Sequence, residues 1–433
     1  MKDRFRIKFT KPDLKSGKGN LIDLLLLIVL FLILEFEYYD FVNLPFFQEK
    51  MGFDFAFSFP KYFIGKFMLV FMLYINSKMK EISYFVNTAF LIFLTFPTVI
   101  MYQFMPDTTV IISLSAILFH VIYFTISQFN INLGEVKKLK IKNKQKLWVI
   151  IGVAGVAIFP LFLHFGFNLN FKAFNPYKIY EIRALSVNHT HGISNYFYSW
   201  LIKIIIPIGL IMSIKNRKWI WVFVFFLLQI YLFLTEAHKS AFISLFVLLV
   251  MIIKTFRQQT RWMLITVIFM VIVSRIVSIM TNDIMVESIV ARRTFFLPAI
   301  ISIDYFDFFA HNHTYLSHSI FRHFIDYPFD LDPPHLIGRE YFFNPKANAN
   351  SGFISDGFMN FGYIGIFLYV TAMALVFKTI ELLRISPACS GIIIIIIYTF
   401  ISSFFLTTLL SHGVILFLIL AYFLLRNTNG ENA

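Results

Sequence analysis

The side chains best suited to chemistry are concentrated in one polar stretch, residues 310–365. Five of the chain's 11 histidines fall in it, and His311 and His313 are the candidate general bases. Histidine suits that role because its unperturbed pKa lies near neutrality. The alternative is that they are ordinary polar loop residues. A metal site with His318 or His323 is weakly indicated, because two-residue spacing in a loop is poor evidence, so we predict none.

Cationic side chains lie in the same stretch and in the segments that precede it. Arginine binds the oxygens of a diphosphate in pairs, because its planar guanidinium group presents a fixed fork of donors. The alternative is that these arginines pair with neighbouring acids or with ordinary lipid headgroups. The candidates are Arg183, Arg292, Arg293, Arg322 and Arg339. Lys239 is a further candidate, because it lies between two short apolar runs, where a charge is costly unless it faces a polar cavity.

The composition determines the surroundings of these residues. The chain is 58% hydrophobic, with a mean hydropathy of +0.73, and a soluble fold of this length cannot bury that much apolar surface. Long unbroken apolar runs indicate helices, since only helices and closed barrels satisfy the backbone in lipid. The single cysteine, Cys389, excludes an intrachain disulfide. The net charge of +14 reflects topology and acidic lipids rather than nucleic acid.

We predict an all-α polytopic membrane protein with about twelve transmembrane helices and both termini in the cytoplasm, because the basic turns then lie on one side. The segment 294–309 is predicted to lie in the outer interface, with Asp304 and Asp307 on one face. Five regions follow: a tail with five helices (1–164), an outer loop (165–196), four helices (197–280), a large late outer loop (281–352), and three helices with a cytoplasmic tail (353–433).

The inner turns contain no glycine-rich phosphate loop and hold nothing that would bind a nucleotide. Chemistry is therefore expected on the outer face, where ATP and nucleotide sugars are absent. A substrate there brings its own activated group, such as a lipid pyrophosphate.

Residues 178–377 resemble the bacterial Wzy-type polymerases of O-antigen and capsule repeat units. The resemblance rests on a large late outer loop and on short runs of sequence. These are residues 180–183 ahead of a span with Trp200, Lys203 and Pro207, the run His238-Lys239-Ser240, and residues 350–365. Residues 310–312 also resemble the loop of the related O-antigen ligases.

This resemblance implies a membrane glycosyltransferase of GT-C-like architecture that acts on undecaprenyl-pyrophosphate-linked oligosaccharides. It implies a site facing the periplasm across the bacterial inner membrane, no cofactor, and membrane lipids, a chain-length regulator and other glycan-assembly proteins as partners. The arginines and Lys239 would hold the diphosphate, and Asp356 would join the histidines in catalysis. Asn360, which shares a helix face with Asp356, and Tyr315 would bind the glycan, although Tyr315 also suits interface anchoring.

Three other classes remain open from the sequence. A flippase or transporter of lipid-linked glycans would favour charges within spans and inverted repeats, which we do not find. A membrane acyltransferase would need an essential histidine and an acyl donor reached from inside, and His120 is the only histidine expected to be buried in the inner half. An O-antigen ligase fits the histidine loop, while the segment around Asp356 fits the polymerases better.

Overall fold

The computed structural model of the chain describes residues 7–9, 17–106, 108–131, 143–166, 169–175, 193–236, 244, 248 and 255–426. These residues are mostly helical, with one long irregular connection at residues 309–332 and one antiparallel ribbon, in which strand β1 (Ile7–Phe9) pairs with strand β2 (Phe129–Ile131). The helix bounds are Gly17–Glu37, Pro45–Met51, Phe59–Ser77, Glu81–Phe104, Val110–Ser127, Asn143–Phe165, Ser194–Lys215, Trp219–Glu236, Phe256–Thr281, Leu297–Phe308, Pro333–Phe342, Phe353–Leu382, Ser390–Ser402, Phe405–Leu410 and Val414–Leu420.

Eight helical segments in the described ranges are long and apolar enough to cross a membrane. Each carries at least 18 residues, which at 1.5 Å per residue is close to the thickness of a hydrocarbon core. The prediction of a helical multi-pass membrane protein is therefore confirmed. The eight are Glu81–Phe104, Val110–Ser127, Gln145–Phe165, Ser194–Lys215, Trp219–Glu236, Phe256–Thr281, Phe353–Leu382 and Phe405–Leu425.

The chain divides into two compact units. Unit 1 comprises Met1–Asn132, Arg257–Lys378 and Phe400–Phe405. Unit 2 comprises Leu133–Phe256, Thr379–Thr399 and Leu406–Ala433.

The helices of unit 1 have two chemically different ends. At one end, the Arg261 Nε atom donates to Asp23 Oδ1 at 2.9 Å, and Lys378 Nζ donates to the Ser127 carbonyl at 3.1 Å. The opposite end is called the loop end below. It contains residues 38–58 and the long connection 310–352, which is called the late loop. A hydrogen bond of 2.8 Å from the Tyr38 hydroxyl to the Asp54 carbonyl ties part of this end together.

A helical stretch made of a π-helical segment, Ser288–Phe296, and the helix Leu297–Phe308 extends across the loop end of unit 1. Phe296 packs on Tyr38 with ring centroids 5.3 Å apart, and the Tyr305 hydroxyl donates to the Ala349 carbonyl at 3.1 Å. Both contacts lie at the loop end, whereas Phe295 stacks on Phe93, about halfway along the helix Glu81–Phe104, with ring centroids 5.7 Å apart.

The burial of this stretch differs from the pattern of an interfacial helix. Phe296 and Tyr305 are fully buried, and Asp304 is buried while Asp307 is exposed. The two aspartates are close enough for the charge of Asp307 to act on Asp304, but only Asp307 reaches solvent. The spacing of apolar residues cannot reveal that other elements of unit 1 cover most sides of this stretch.

Candidate functional site

The late loop docks on the helix Phe353–Leu382 where that helix is broken. Phe361 and Gly362 leave helical geometry, and Gly362 has φ 60° and ψ −142°. Such a break deprives the preceding carbonyls of their usual partners four residues on. The backbone N–H groups of the loop replace them: Thr314 donates to the Met359 carbonyl at 2.9 Å, and Tyr315 donates to the Asn360 carbonyl at 3.2 Å.

Glycine makes the break possible. The backbone dihedral angles of Gly362 lie in a region that is essentially closed to residues with a side chain. On either side of the break, Gly357 and Gly365 come together so closely that a Cβ on Gly365 would lie 1.9 Å from the Gly357 carbonyl oxygen. Irregular backbone inside a membrane-spanning helix is tolerated where protein covers it or where it lines a cavity. The late loop provides that cover here.

Asn360 fastens the loop to the broken helix with its side chain. Its Oδ1 atom accepts from Thr314 Oγ1 at 2.8 Å and from the Leu316 N–H at 2.7 Å. Its Nδ2 group donates to the Asp356 carbonyl and to Asp356 Oδ1, both at 2.8 Å. Asn360 is 0% exposed, so its side chain organises the loop and presents no surface to a glycan. Asn360 therefore positions the loop in this structure, and its predicted role in substrate binding stays a prediction.

Asp356 is likewise part of the scaffold. One carboxylate oxygen accepts from Asn360, and the other, Oδ2, accepts from the Phe405 N–H at 2.8 Å. The residue is 2% exposed. Because both oxygens are engaged and solvent is excluded, the predicted catalytic role of Asp356 does not fit this geometry. Its carboxylate instead links the broken helix to the start of the helix Phe405–Leu410.

The contact of the late loop with the break at Phe361 and Gly362 is called the junction below. His313, a predicted catalytic residue, lies at its centre. Its ring meets Phe358 edge-on at 5.6 Å and Tyr315 edge-on at 6.3 Å. A Cβ on Gly362 would lie 2.9 Å from His313 Nε2, so the break brings bare backbone under the imidazole. The Nδ1 atom is buried and has no hydrogen-bond partner among the described residues. His311 is exposed at the edge of the junction.

His318 is a second histidine of interest, which the sequence singled out only as a possible metal ligand. Its Nδ1 atom and the Tyr327 hydroxyl are buried and without a hydrogen-bond partner among the described residues, and the two rings lie 6.2 Å apart. Burial lowers the pKa of His318 to about 4, although Asp332 opposes the shift. The imidazole is therefore neutral at physiological pH. Within the described residues, no group of three or more His, Cys, Asp or Glu is placed to hold a metal.

The arginines of this region have partners within the chain. Arg292 is 3% exposed, donates to Ser288 Oγ from Nε at 3.0 Å and from Nη2 at 2.8 Å, and stacks over the Phe47 ring at 4.5 Å. Arg339 donates from Nη1 to Asp330 Oδ2 at 2.7 Å. For Arg339, pairing with a nearby acid is the alternative that the sequence left open. Arg292 and Arg339, both predicted to hold the diphosphate, are thus each engaged within the described part of the chain.

The other predicted cations differ in how far the structure places them. Arg322 is exposed beside His323, and Arg293 is half-buried on the same π-helical segment as Arg292. Tyr315 is 51% exposed and has a left-handed φ of 49°, so its ring is available at the surface of the junction. Arg183 and Lys239 lie outside the described residues.

A cluster of charges at the loop end of unit 1 was not anticipated. Arg275 forms ion pairs with Glu37 at 3.8 Å, with Glu287 at 3.2 Å and with Asp40. It borders an apolar groove of about 450 Å³ between the helices Gly17–Glu37 and Phe256–Thr281. Three carboxylates surround one guanidinium group, so the cluster is formally negative and unsuited to a diphosphate. Its members are far apart in sequence, and no local pattern reveals the pairing.

Fold and composition together define the chain as a helical, multi-pass membrane protein. Comparisons with protein-family models, with curated proteins and with solved structures found no match to this chain. Any more specific function has to be argued from the residues themselves.

Proposed function

We propose that the chain is a polymerase that joins undecaprenyl-pyrophosphate-linked oligosaccharide repeat units at the outer face of the bacterial inner membrane. The observation that carries the proposal is the junction of the late loop with the broken helix. Residues 350–365, one of the runs on which the resemblance to the Wzy-type polymerases rests, provide this break, and His313 lies directly over it.

In the proposed reaction, a hydroxyl of the acceptor repeat unit attacks the anomeric carbon of the growing chain. The bond from that carbon to the diphosphate oxygen breaks, and a new glycosidic bond forms. His313 takes the hydroxyl proton as the general base. Undecaprenyl pyrophosphate leaves with the bonding electrons. The exposed ring of Tyr315 offers a face to a sugar, and Asp356 and Asn360 hold the loop in place.

The diphosphate requires cations that are not already neutralised. Among the original candidates, Arg339 is neutralised by Asp330 and Glu340, and Arg292 is only 3% exposed because it is buried against Ser288 and Phe47. Arg183, Lys239 and Arg322 are therefore the cations that we assign to the diphosphate in this proposal.

The proposed architecture has twelve spans, with both termini in the cytoplasm and a GT-C-like arrangement. Four further segments would join the eight candidate spans: Gly17–Glu37, Phe59–Ser77, Ser390–Ser402 and residues 241–253. Arg261 and Lys378 at the end opposite the late loop support a cytoplasmic assignment for that end, because cytoplasmic turns are enriched in basic residues. The late loop would then face the periplasm.

The proposal is tested with purified protein in nanodiscs and a lipid-linked repeat unit as substrate. The expected products are a ladder of oligomers and free undecaprenyl pyrophosphate. His313→Gln should lower the rate about 100-fold or more, the usual contribution of a general base. His335→Gln is the matched control, because His335 lies in the same loop but its Nδ1 atom is 2.6 Å from Asp332 Oδ1, outside the junction.

Two outcomes would count against this function. If His313→Gln polymerised as fast as the wild type, the assignment of the base would be wrong. In a strain lacking the gene, surface glycan with single-repeat caps is expected. A complete loss of glycan from the lipid A core would indicate a ligase instead.

A further inference from the structure

An apolar groove follows the surface of unit 1 between two of its helices. It lies between Gly17–Glu37 and Phe256–Thr281 and has a volume of about 450 Å³, which is the size of a small-molecule site. Its walls are open, since Leu32 on one helix is 51% exposed and Ile276 on the other is 49% exposed. Because Phe256–Thr281 is a candidate membrane span, walls that are both apolar and exposed face lipid.

Two ion pairs fix how these two helices lie against each other. Arg261 Nε donates to Asp23 Oδ1 at 2.9 Å near one end. The same number of positions further along each helix, the Arg275 guanidinium group lies 3.8 Å from the Glu37 carboxyl group. The helices therefore run parallel and side by side. The groove occupies the part of their interface next to Arg275 and reaches the loop end of unit 1.

The charges at the loop end of the groove do not balance. Arg275 pairs with Asp40, with Glu287 at 3.2 Å and with Glu37. Glu37 lines the groove and is 1% exposed, and its Oε2 atom is buried without a hydrogen-bond donor among the described residues. Glu287 lies within hydrogen-bonding range of Glu37, and two carboxyl groups can bind each other only by sharing a proton. Even with that proton in place, two carboxylates face one guanidinium group.

This end of the groove thus suits a ligand that carries both signs of charge. The side chain of Asp40 is 44% exposed, so a positive group in the groove can reach its carboxylate. Arginine has five N–H donors, and within the described residues Arg275 uses two of them in its hydrogen bonds to Glu287 and Asp40. The remaining donors suit an anionic oxygen. A ligand with negative charge alone would be repelled by the excess of carboxylates.

We propose that the groove binds phosphatidylethanolamine, a phospholipid with a primary ammonium group. An acyl chain lies along the apolar walls, the ammonium group donates to Asp40 and to Glu37 Oε2, and the phosphate accepts from Arg275. The charges lie where the helix Gly17–Glu37 ends, which is headgroup depth if that helix spans the bilayer. Phosphatidylcholine carries the same charges, but its quaternary ammonium has no N–H to donate. This inference does not depend on the proposed polymerase activity.

The headgroup preference is tested with the purified full chain, delipidated in detergent. The protein is offered an equal mixture of phosphatidylethanolamine, phosphatidylcholine and phosphatidylglycerol with identical acyl chains, and native mass spectrometry counts the retained lipids. The wild type should retain phosphatidylethanolamine about tenfold better than phosphatidylcholine, the effect of one charge-assisted hydrogen bond. Asp40→Asn should remove most of this preference. Asp54→Asn is the matched control, because Asp54 is exposed at the same end and lies outside the cluster.

A second pair of variants tests the groove and leaves the charges in place. Ile276→Trp puts an indole ring into the groove and should lower the retention of phosphatidylethanolamine about tenfold. Ile265→Trp is its matched control, because Ile265 is 40% exposed on the same helix and does not line the groove. Both positions are open to lipid, so both variants should fold.

Several results would overturn the proposal. One is a wild type that retains phosphatidylcholine or phosphatidylglycerol as well as phosphatidylethanolamine. Another is an unchanged preference in Asp40→Asn or unchanged retention in Ile276→Trp. An equal loss in Asp54→Asn would also overturn it, because the effect would then be general electrostatics. None of these measurements involves glycan synthesis, so failure of the polymerase proposal would leave them unchanged.

Discussion

Replacing Asn360 with leucine tests whether one buried amide holds the late loop in place. The change preserves the approximate volume but removes hydrogen bonds to Thr314 Oγ1, the Leu316 N–H and Asp356 Oδ1. Each buried polar group left without a partner costs about 1–3 kcal/mol. Three groups left without a partner should lower the free energy of opening the loop by about 3 kcal/mol. This is the lower end of the summed cost, because the three costs are not fully additive and water satisfies some of the exposed groups.

The loss should appear as local opening of the loop rather than global unfolding. An opening free energy lower by about 3 kcal/mol corresponds to a roughly 150-fold faster exchange of the protected amides. Hydrogen exchange with mass spectrometry on peptides that cover residues 311–318 measures this directly. Asn344→Leu is the matched control, since Asn344 is exposed and only accepts from the nearby Lys346 N–H. Unchanged exchange in Asn360→Leu, with the fold intact, would refute the reasoning.

Two further predictions concern stability. Gly365→Ala should lower the melting temperature, because its Cβ would overlap the Gly357 carbonyl oxygen, whereas Gly152→Ala should be neutral or stabilising, because nothing lies within 4 Å and alanine favours helix. Equal melting temperatures of the two variants would contradict the close approach. Burial and the neighbouring Asp307 raise the pKa of Asp304 to about 8. The folded state then holds a proton that the unfolded state releases near pH 4, so this group's contribution to stability falls as pH rises from about 4 to 8. Thermal unfolding should show a smaller fall over that range for Asp304→Asn, and an identical pH profile would contradict the shift.

The arginines show how neighbouring residues in a sequence can mislead. Arg292 and Arg293 follow one another, and their position after a predicted span suggested a pair of ligands for a diphosphate. In the structure Arg292 reaches back one helical turn to Ser288 and across to Phe47. The first partner is visible in the sequence, but the second is more than two hundred residues away. The burial of Arg292 therefore depends on a tertiary contact that the sequence does not show. In the structure, Arg292 is part of the scaffold rather than an exposed ligand for a diphosphate.

The sequence alone determined that this is a helical membrane protein, because long apolar runs must satisfy their own backbone in lipid whatever they pack against. It also located the polar late loop and the glycine-rich segment that follows. The tertiary structure decided what those residues do. In the structure, Asp356 and Asn360 are buried and hydrogen-bonded to each other, and His313 lies over the break at Gly362. The structure also pairs Lys203 with His412 across 209 positions. Such contacts join distant parts of the chain, and local periodicity contains no information about them.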